Sequence, residues 1–159
     1  MLFHQKTKEI EEDPYNEFQV LCGIEEEFLI INKNGNLTEV ADDLMVKSAE
    51  ILENDTNFLN SLQVKIRGLD AEPSPTQIEY VTLPLPPDSL KEAIIDGRKL
   101  LTDAAKKLGV KILSSSLHPI QSDPHPIAGT HINVSVQRKG SLMTPEEMKA
   151  VYNYLWNYL

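Results

Sequence analysis

The sequence predicts an α+β fold with a largely antiparallel sheet and helices packed on one of its faces. Two observations lead there. Candidate strands arrive in neighbouring pairs joined by turn-rich segments, and only Ser89–Leu108 reads as a crossover helix. A doubly wound parallel sheet needs more regular strand–helix alternation than this chain offers.

Residues 1–17 read as a polar lead-in, and 18–159 as a single α+β domain. Phe18–Asn32 is rich in Phe, Val, Leu and Ile and is expected as a long strand. Asn34-Gly35 signals a type I′ hairpin turn, with Leu37–Val40 as a short return strand. Asp42–Glu53 places Leu44, Met45, Ala49 and Leu52 at helical spacing. Val64–Leu69 and Gln77–Leu83 read as strands around the turn-rich Glu72-Pro73-Ser74-Pro75, and Pro84, Pro86 and Pro87 end the second. Ser89–Leu108 has an apolar stripe of Leu90, Ala93, Ile94, Leu101, Ala104, Ala105 and Leu108, a start that Asp88 or Ser89 can cap, and Gly109 just past its end. Val110–Ser114 and Thr130–Val136 are further strands, separated by a proline-bearing loop. Thr144-Pro145-Glu146-Glu147 is a capping box that opens a last helix.

The 159 residues suffice for one domain with a core, and 41% hydrophobic with 25% charged residues is ordinary for a soluble globular protein. A net charge of −9 argues against nucleic acid or anionic lipid as the main partner, because both require basic surfaces. It does not exclude ATP, since a bound Mg²⁺ inverts the local field. No apolar run approaches the roughly 20 residues of a membrane helix, and residues 1–16 lack the apolar stretch of a signal peptide. With one cysteine, Cys22, no intrachain disulfide can form, and the expected compartment is the cytoplasm. Cys22 itself reads as a small core residue, and His4 and His125 as solvent-exposed.

Three constellations bear chemistry. In Gly23-Ile24-Glu25-Glu26-Glu27-Phe28, strand alternation turns Glu25 and Glu27 to one face and Glu26 to the other. Two carboxylates about 7 Å apart on one face repel unless a cation lies between them. A divalent ion is the simplest cation to supply, and a solvated acidic face is the alternative. In the second, Gln77, Glu79 and Val81 share a face, and Glu72 lies before a turn that can return it beside Glu79. Alone, this is equally a wet sheet face. In the third, His131, Asn133 and Ser135 alternate with Ile132, Val134 and Val136, which gives one polar face bearing an imidazole. Polar residues from three strands can thus converge.

These segments, "GIEEEF" at 23–28, "EPSPTQIEYVT" at 72–82 and "GTHINVSV" at 129–136, together resemble the glutamate–cysteine ligase family, and within it the bacterial and archaeal carboxylate–amine ligases, relatives of glutamine synthetase. Arg98 in the long helix and His118-Pro119 after a strand add to the resemblance, which spans roughly residues 18–159. It implies the N-terminal half of a glutamine synthetase-like catalytic domain. It also implies that Glu25, Glu27, Glu72, Glu79 and His131 hold Mg²⁺ or Mn²⁺, that His131, Asn133 and Gln77 contact the nucleotide, and that Gln77 and Thr82 line an amino-acid pocket. Glu25, Glu27, Glu79 and His131 would be the catalytic set. The family's reaction moves the γ-phosphoryl of ATP to the carboxylate of a glutamate-like amino acid, and an amine then displaces phosphate to form an amide. The divalent ions neutralise and position the phosphates, the largest contribution in such chemistry.

Three features depart from the family pattern. Asn133 stands where the branch often has a second histidine, the 118–131 loop is short, and the chain stops at Leu159 inside a helix, where relatives continue into a portion with further metal and phosphate contacts. That last helix carries Val151, Tyr152, Tyr154, Leu155, Trp156, Tyr158 and Leu159 and is expected to be buried. It can do so as a core helix, or by docking through 145–159 on another copy or on a complementary C-terminal chain. The function expected is therefore an ATP- and Mg²⁺-dependent carboxylate–amine ligase. The alternatives are a metal- or nucleotide-binding subunit without catalysis of its own, or a split reading frame.

Overall fold

A computed structural model describes residues 18–120, 127–138 and 143–156. The lead-in 1–17, His4, His125 and the last residues 157–159 lie outside the described residues. Along the chain run β1 (Phe18–Ile31), α1 (Ala41–Asn54), α2 (Thr56–Gln63), β2 (Ile66–Ala71), β3 (Gln77–Thr82), α3 (Pro87–Leu108), β4 (Lys111–Leu113), β5 (Thr130–Arg138) and α4 (Pro145–Trp156). The fold is α+β, as the strand pairing predicts. The sheet has the order β2-β3-β1-β4, every pairing along it antiparallel, and β5 also pairs with β1. The chain divides into two compact units, residues 21–135 and the two ends 1–20 with 136–159.

In the larger unit β1 is the organising strand. Its register against β3 sets Glu25 opposite Val81, Glu27 opposite Glu79 and Phe28 opposite Ile78. Opposed residues of an antiparallel pair share a face. One face therefore gathers Phe28, Ile30, Ile78 and Tyr80, and these form the core with Ala41 and Leu44 of α1 and Leu101, Ala104 and Ala105 of α3. The other face gathers Glu25, Glu27 and Glu79. The helix side is dry because α1 and α3 lay their apolar stripes on it.

Helix α3 begins earlier than its hydroxyl and carboxylate residues suggest. Pro87 is the first helical residue, where its missing N–H costs nothing, and no side chain caps the start. It ends at Gly109, in the left-handed conformation (φ 71°). At Gly97 a Cβ would come within 2.8 Å of Tyr80 Cδ2. This bare turn of helix is what lets the Tyr80 ring lie flat against α3. Tyr80 is fully buried and reaches Glu26, which is 3% exposed. Its hydroxyl donates to Glu26 Oε2, while Arg98 donates from Nε to Oε2 at 2.9 Å and from Nη2 to Oε1 at 2.5 Å. A carboxylate on the covered face is thus compensated by a guanidinium and a phenol.

Several local expectations change. The hairpin after β1 is a three-residue loop, not a two-residue type I′ turn. Gly35 N–H donates to the Asn32 carbonyl at 3.0 Å, with Gly35 alone supplying the positive φ of 84° among its glycines. The Asn32 carboxamide oxygen accepts from Asn34 N–H and Asn36 N–H, which favours the wider loop. The return strand Leu37–Val40 shrinks to one bridge, Ile31 with Leu37, because the chain turns at once into α1. Helix α2 was not foreseen. It is short, and Asp55 caps it by accepting from Phe58 N–H at 3.0 Å. Cys22, half-buried, sits in a backbone bridge with Leu85. His118 is buried, donates from Nε2 to the Gly35 carbonyl at 2.6 Å and accepts Ile120 N–H on Nδ1, which fixes the hairpin loop from below.

In the smaller unit the capping box forms as expected. Thr144 Oγ1 accepts from Glu147 N–H at 3.2 Å, and the Glu147 carboxylate accepts from Thr144 N–H at 2.8 Å. Arg138 pairs with Glu147 and lies over the Phe18 ring at 5.5 Å. Four large apolar residues of α4 are not buried: Met148, Tyr152, Tyr154 and Trp156 are all more than half exposed, and Tyr152 stacks on Trp156. Their burial as a core helix is therefore not met, because side chains spread around the whole circumference leave one contact face unable to cover them. Among the described residues no helix is long and apolar enough to cross a membrane.

Candidate metal and substrate site

The open sheet face brings six of the eight candidate residues, Glu25, Glu27, Glu72, Glu79, His131 and Asn133, to one place. Glu27 on β1 and Glu79 on β3 are direct cross-strand partners, and Asp70 on β2 continues the row beyond Glu79. Glu72, just past β2, turns back toward them as its position before Pro73 suggests. One carboxylate oxygen each from Glu27, Glu72 and Glu79 lie within 4.8 Å of one another. His131 Nδ1 stands 3.4 Å from Glu25 Oε2 and 3.9 Å from Glu27 Oε1. Asn133 Nδ2 reaches Glu25 Oε1 at 3.5 Å, a long contact.

The backbone orients part of this set. Gly129 N–H donates to Glu27 Oε2 at 2.8 Å, and Glu27 N–H donates back to the Gly129 carbonyl at 2.9 Å. The start of β5 is thereby pinned to the Glu27 carboxylate. Gly129 also lies between Glu27 and His131, where a Cβ would sit 3.9 Å from each. A small hollow of about 180 Å³ on this flank is bordered by Glu27, Gly129 and the serines 114–116.

Gln77 is placed differently from a ligand-contacting residue. Its side chain is buried and Nε2 donates to the Ile127 carbonyl at 2.9 Å, so it anchors the segment that leads into β5. Thr82 borders the neighbouring cavity while its hydroxyl accepts from Ile24 N–H at 2.8 Å. Arg67, also at that cavity, was not singled out from sequence. It sits in a bulge whose register depends on its partner strand, and no local pattern announces that.

The electrostatics are those of a site short of positive charge. Burial first, and then the negative charge of Glu72, push the Glu79 carboxyl up to about 7. Glu72 is raised too, by burial and then by Glu27, with His131 opposing. Carboxylates held this close keep protons unless a cation relieves them. Three hard oxygen donors with an imidazole at the flank suit Mg²⁺ or Mn²⁺ rather than a soft thiophilic metal.

No family model matches the chain, and no curated protein does. Among solved structures, one described as the crystal structure of a novel glutamine synthase homolog is similar, at 17% identity and a TM-score of 0.49. The likeness covers 79% of this chain and 29% of that one, so the chain spans less than a third of that protein's length.

Proposed function

We propose that this chain is the metal-binding half of an ATP- and Mg²⁺-dependent carboxylate–amine ligase of glutamate–cysteine ligase type. The observation behind this reading is the meeting of Glu27, Glu72 and Glu79, whose oxygens converge within 4.8 Å beside His131 and Glu25. The three sequence segments that resemble the family supply these same residues.

Glu27, Glu72 and Glu79 would hold the divalent ion, with Glu25 and His131 at its edge. When bound, the ion neutralises phosphate oxygens and lowers the cost of charge developing on the transferred phosphoryl group. The chain's own task is positioning: Gly129 N–H and the β1–β3 register fix Glu27 against Glu79, and His131 orients Glu25. In the reaction, a substrate carboxylate oxygen takes the γ-phosphoryl of ATP and ADP leaves. The amine nitrogen then attacks the acyl carbon, releases inorganic phosphate and gives up a proton. The exposed aromatic residues of α4 support docking, through 145–159, on a second copy or on a complementary C-terminal chain.

A second reading, a binding subunit without catalysis of its own, is favoured by one feature. Among the described residues bordering the cavity beside the carboxylates, Arg67 is the sole Arg or Lys, and a triphosphate usually meets several cations. ADP release in the presence of glutamate, Mg²⁺ and hydroxylamine as the amine separates the two. The ligase reading expects turnover that Glu25→Gln with Glu27→Gln abolishes. Turnover indifferent to that pair overturns it, and metal binding without turnover selects the second reading.

A further inference from the structure

Strand β4 leaves one backbone edge unpaired: among the described residues it pairs with β1 alone. The pairing also fixes which way its backbone points. Ile30 N–H donates to the Thr76 carbonyl at 2.8 Å, so Ile30 addresses the β3 side and its neighbours Leu29 and Ile31 address β4. Ile112, opposite Ile30, therefore turns its own N–H and C=O away from β1, toward the open edge. Its side chain goes with Ile30 to the helix side, where it packs at the margin of the core. Lys111 goes with Ile31 to the other face.

Beside that edge, between β4 and the late turns of α3, lies a hollow of about 290 Å³ bordered by Thr102, Ala105, Lys106, Val110, Lys111 and Ile112. Its wall is mostly apolar, and none of the candidate metal ligands borders it. Two cations stand at its rim, in a chain whose net charge is −9. Lys106 is 71% exposed and meets Asp103 only at 3.4 Å, and Lys111 makes no ion pair among the described residues. Lysines on a short edge strand also deter chance pairing with other strands. The deterrent is selective, since the same charges draw in a strand that is acidic.

An open backbone edge, an apolar hollow and ammonium groups at its rim together describe a docking edge for an extended peptide. A residue set opposite Ile112 exchanges two backbone hydrogen bonds with it and, because opposed residues share a face, lays its side chain over the hollow. The residues before and after it fall on the other face, one of them opposite Lys111. A free fatty acid would use the hollow and a lysine but leave the N–H and C=O of Ile112 unmet. We propose that β4 binds an extended acidic segment of a partner protein by antiparallel strand addition, with an aliphatic residue in the hollow and a flanking carboxylate on Lys111. This surface is independent of the ligase reading.

Amide NMR spectra of the full chain, titrated to millimolar concentration with acetyl-Thr-Glu-Leu-Glu-Thr-amide, test this. The peptide is expected to shift the Val110, Lys111 and Ile112 amides and to slow hydrogen exchange at Ile112 N–H. Three altered peptides divide the contributions without touching the fold. Alanine in place of the leucine removes the apolar anchor, N-methylation of the leucine removes the donor to the Ile112 carbonyl, and glutamine in place of both glutamates removes the charge. Each should weaken binding by about five-fold or more, the scale of one lost hydrogen bond, ion pair or buried side chain. Lys111→Glu should do the same, whereas Lys107→Glu, at a lysine that does not border the hollow, should change affinity far less. Absence of shifts at β4 overturns the proposal. So does binding indifferent to the alanine and N-methyl changes, which is charge attraction alone, and so do shifts centred on Glu27 and Glu79. Octanoate moving the Val110 and Ile112 amides while the peptide stays inert assigns the hollow to an acyl ligand and equally overturns it. Should Lys111→Glu not fold, the peptide series decides alone.

Discussion

Glu26 and its two neighbours on β1 occupy adjacent positions in the chain and meet opposite circumstances. Glu26 points to the helix side, almost wholly buried, and is answered from within the fold by Arg98 and Tyr80. Glu25 and Glu27 point to the open side, where more carboxylates, Glu72 and Glu79, crowd toward them. One face solves a buried charge by pairing it. The other leaves negative charge in excess, an arrangement that is unfavourable by itself and that a cation from solution relieves. The difference separates two roles on a single strand: internal compensation makes Glu26 a stability residue, and its absence makes Glu27 and Glu79 the candidates for a cation site.

Removing the compensation on the helix side should give the largest effect. Arg98→Met strands a buried carboxylate, and the expected loss is about 3 kcal/mol in urea unfolding. An unchanged midpoint would mean that Glu26 is hydrated and the contrast between faces is false. Gly97→Ala should come next, at about 1–3 kcal/mol, because the new methyl displaces the Tyr80 ring and with it the phenol bonded to Glu26. Combining it with Tyr80→Phe should give less than the sum of the two single effects, read by the same unfolding curves.

On the open face the sign reverses. Glu79→Gln should stabilise the metal-free protein at pH 7.5 by about 1–2 kcal/mol, after allowance for solvent screening. The folded carboxyl titrates near 7 and the unfolded one near 4.5, so between those values the folded state holds the extra proton. Stability from this group is therefore highest below about pH 4.5 and declines as pH rises toward 7. Melting temperatures from pH 4.5 to 7.5 should fall less steeply in Glu79→Gln than in the wild type, and saturating Mn²⁺ should restore the wild type at the upper end. The smallest effect belongs to His131→Ala. The side chain is largely exposed, so stability should change by less than about 0.5 kcal/mol, while Mn²⁺ affinity drops measurably by calorimetry.

How much of this the sequence disclosed follows from how local each feature is. The two faces of β1, the shared face of Gln77 and Glu79, and the polar face of His131 and Asn133 come from a period of two, which any strand must obey. Gly109 and the Thr144–Glu147 box are likewise written within a few residues. The pairing of Glu26 with Tyr80 and Arg98 joins residues 54 and 72 positions apart, and no periodicity encodes it. Nor does local pattern encode the Arg67 bulge, which exists only relative to β3, or the demand on Gly97 made by a ring from another strand. Gln77 shows the converse: its face was legible, but its bond to the Ile127 carbonyl was not. Helix α2 was missed because it is only eight residues, too short for a periodicity to stand out, and it is held by its Asp55 cap and its neighbours.

The central claim is that carboxylates from separate strands share one divalent ion, and Mn²⁺ titration followed by electron paramagnetic resonance tests it most directly. The wild-type chain is expected to take up one equivalent that Mg²⁺ displaces. Glu27→Gln and Glu79→Gln should each weaken uptake, while Glu26→Gln, on the far side of the same strand, leaves it intact in the folded protein. Loss of binding in Glu26→Gln alone, or uptake indifferent to both Glu27 and Glu79, would contradict the account.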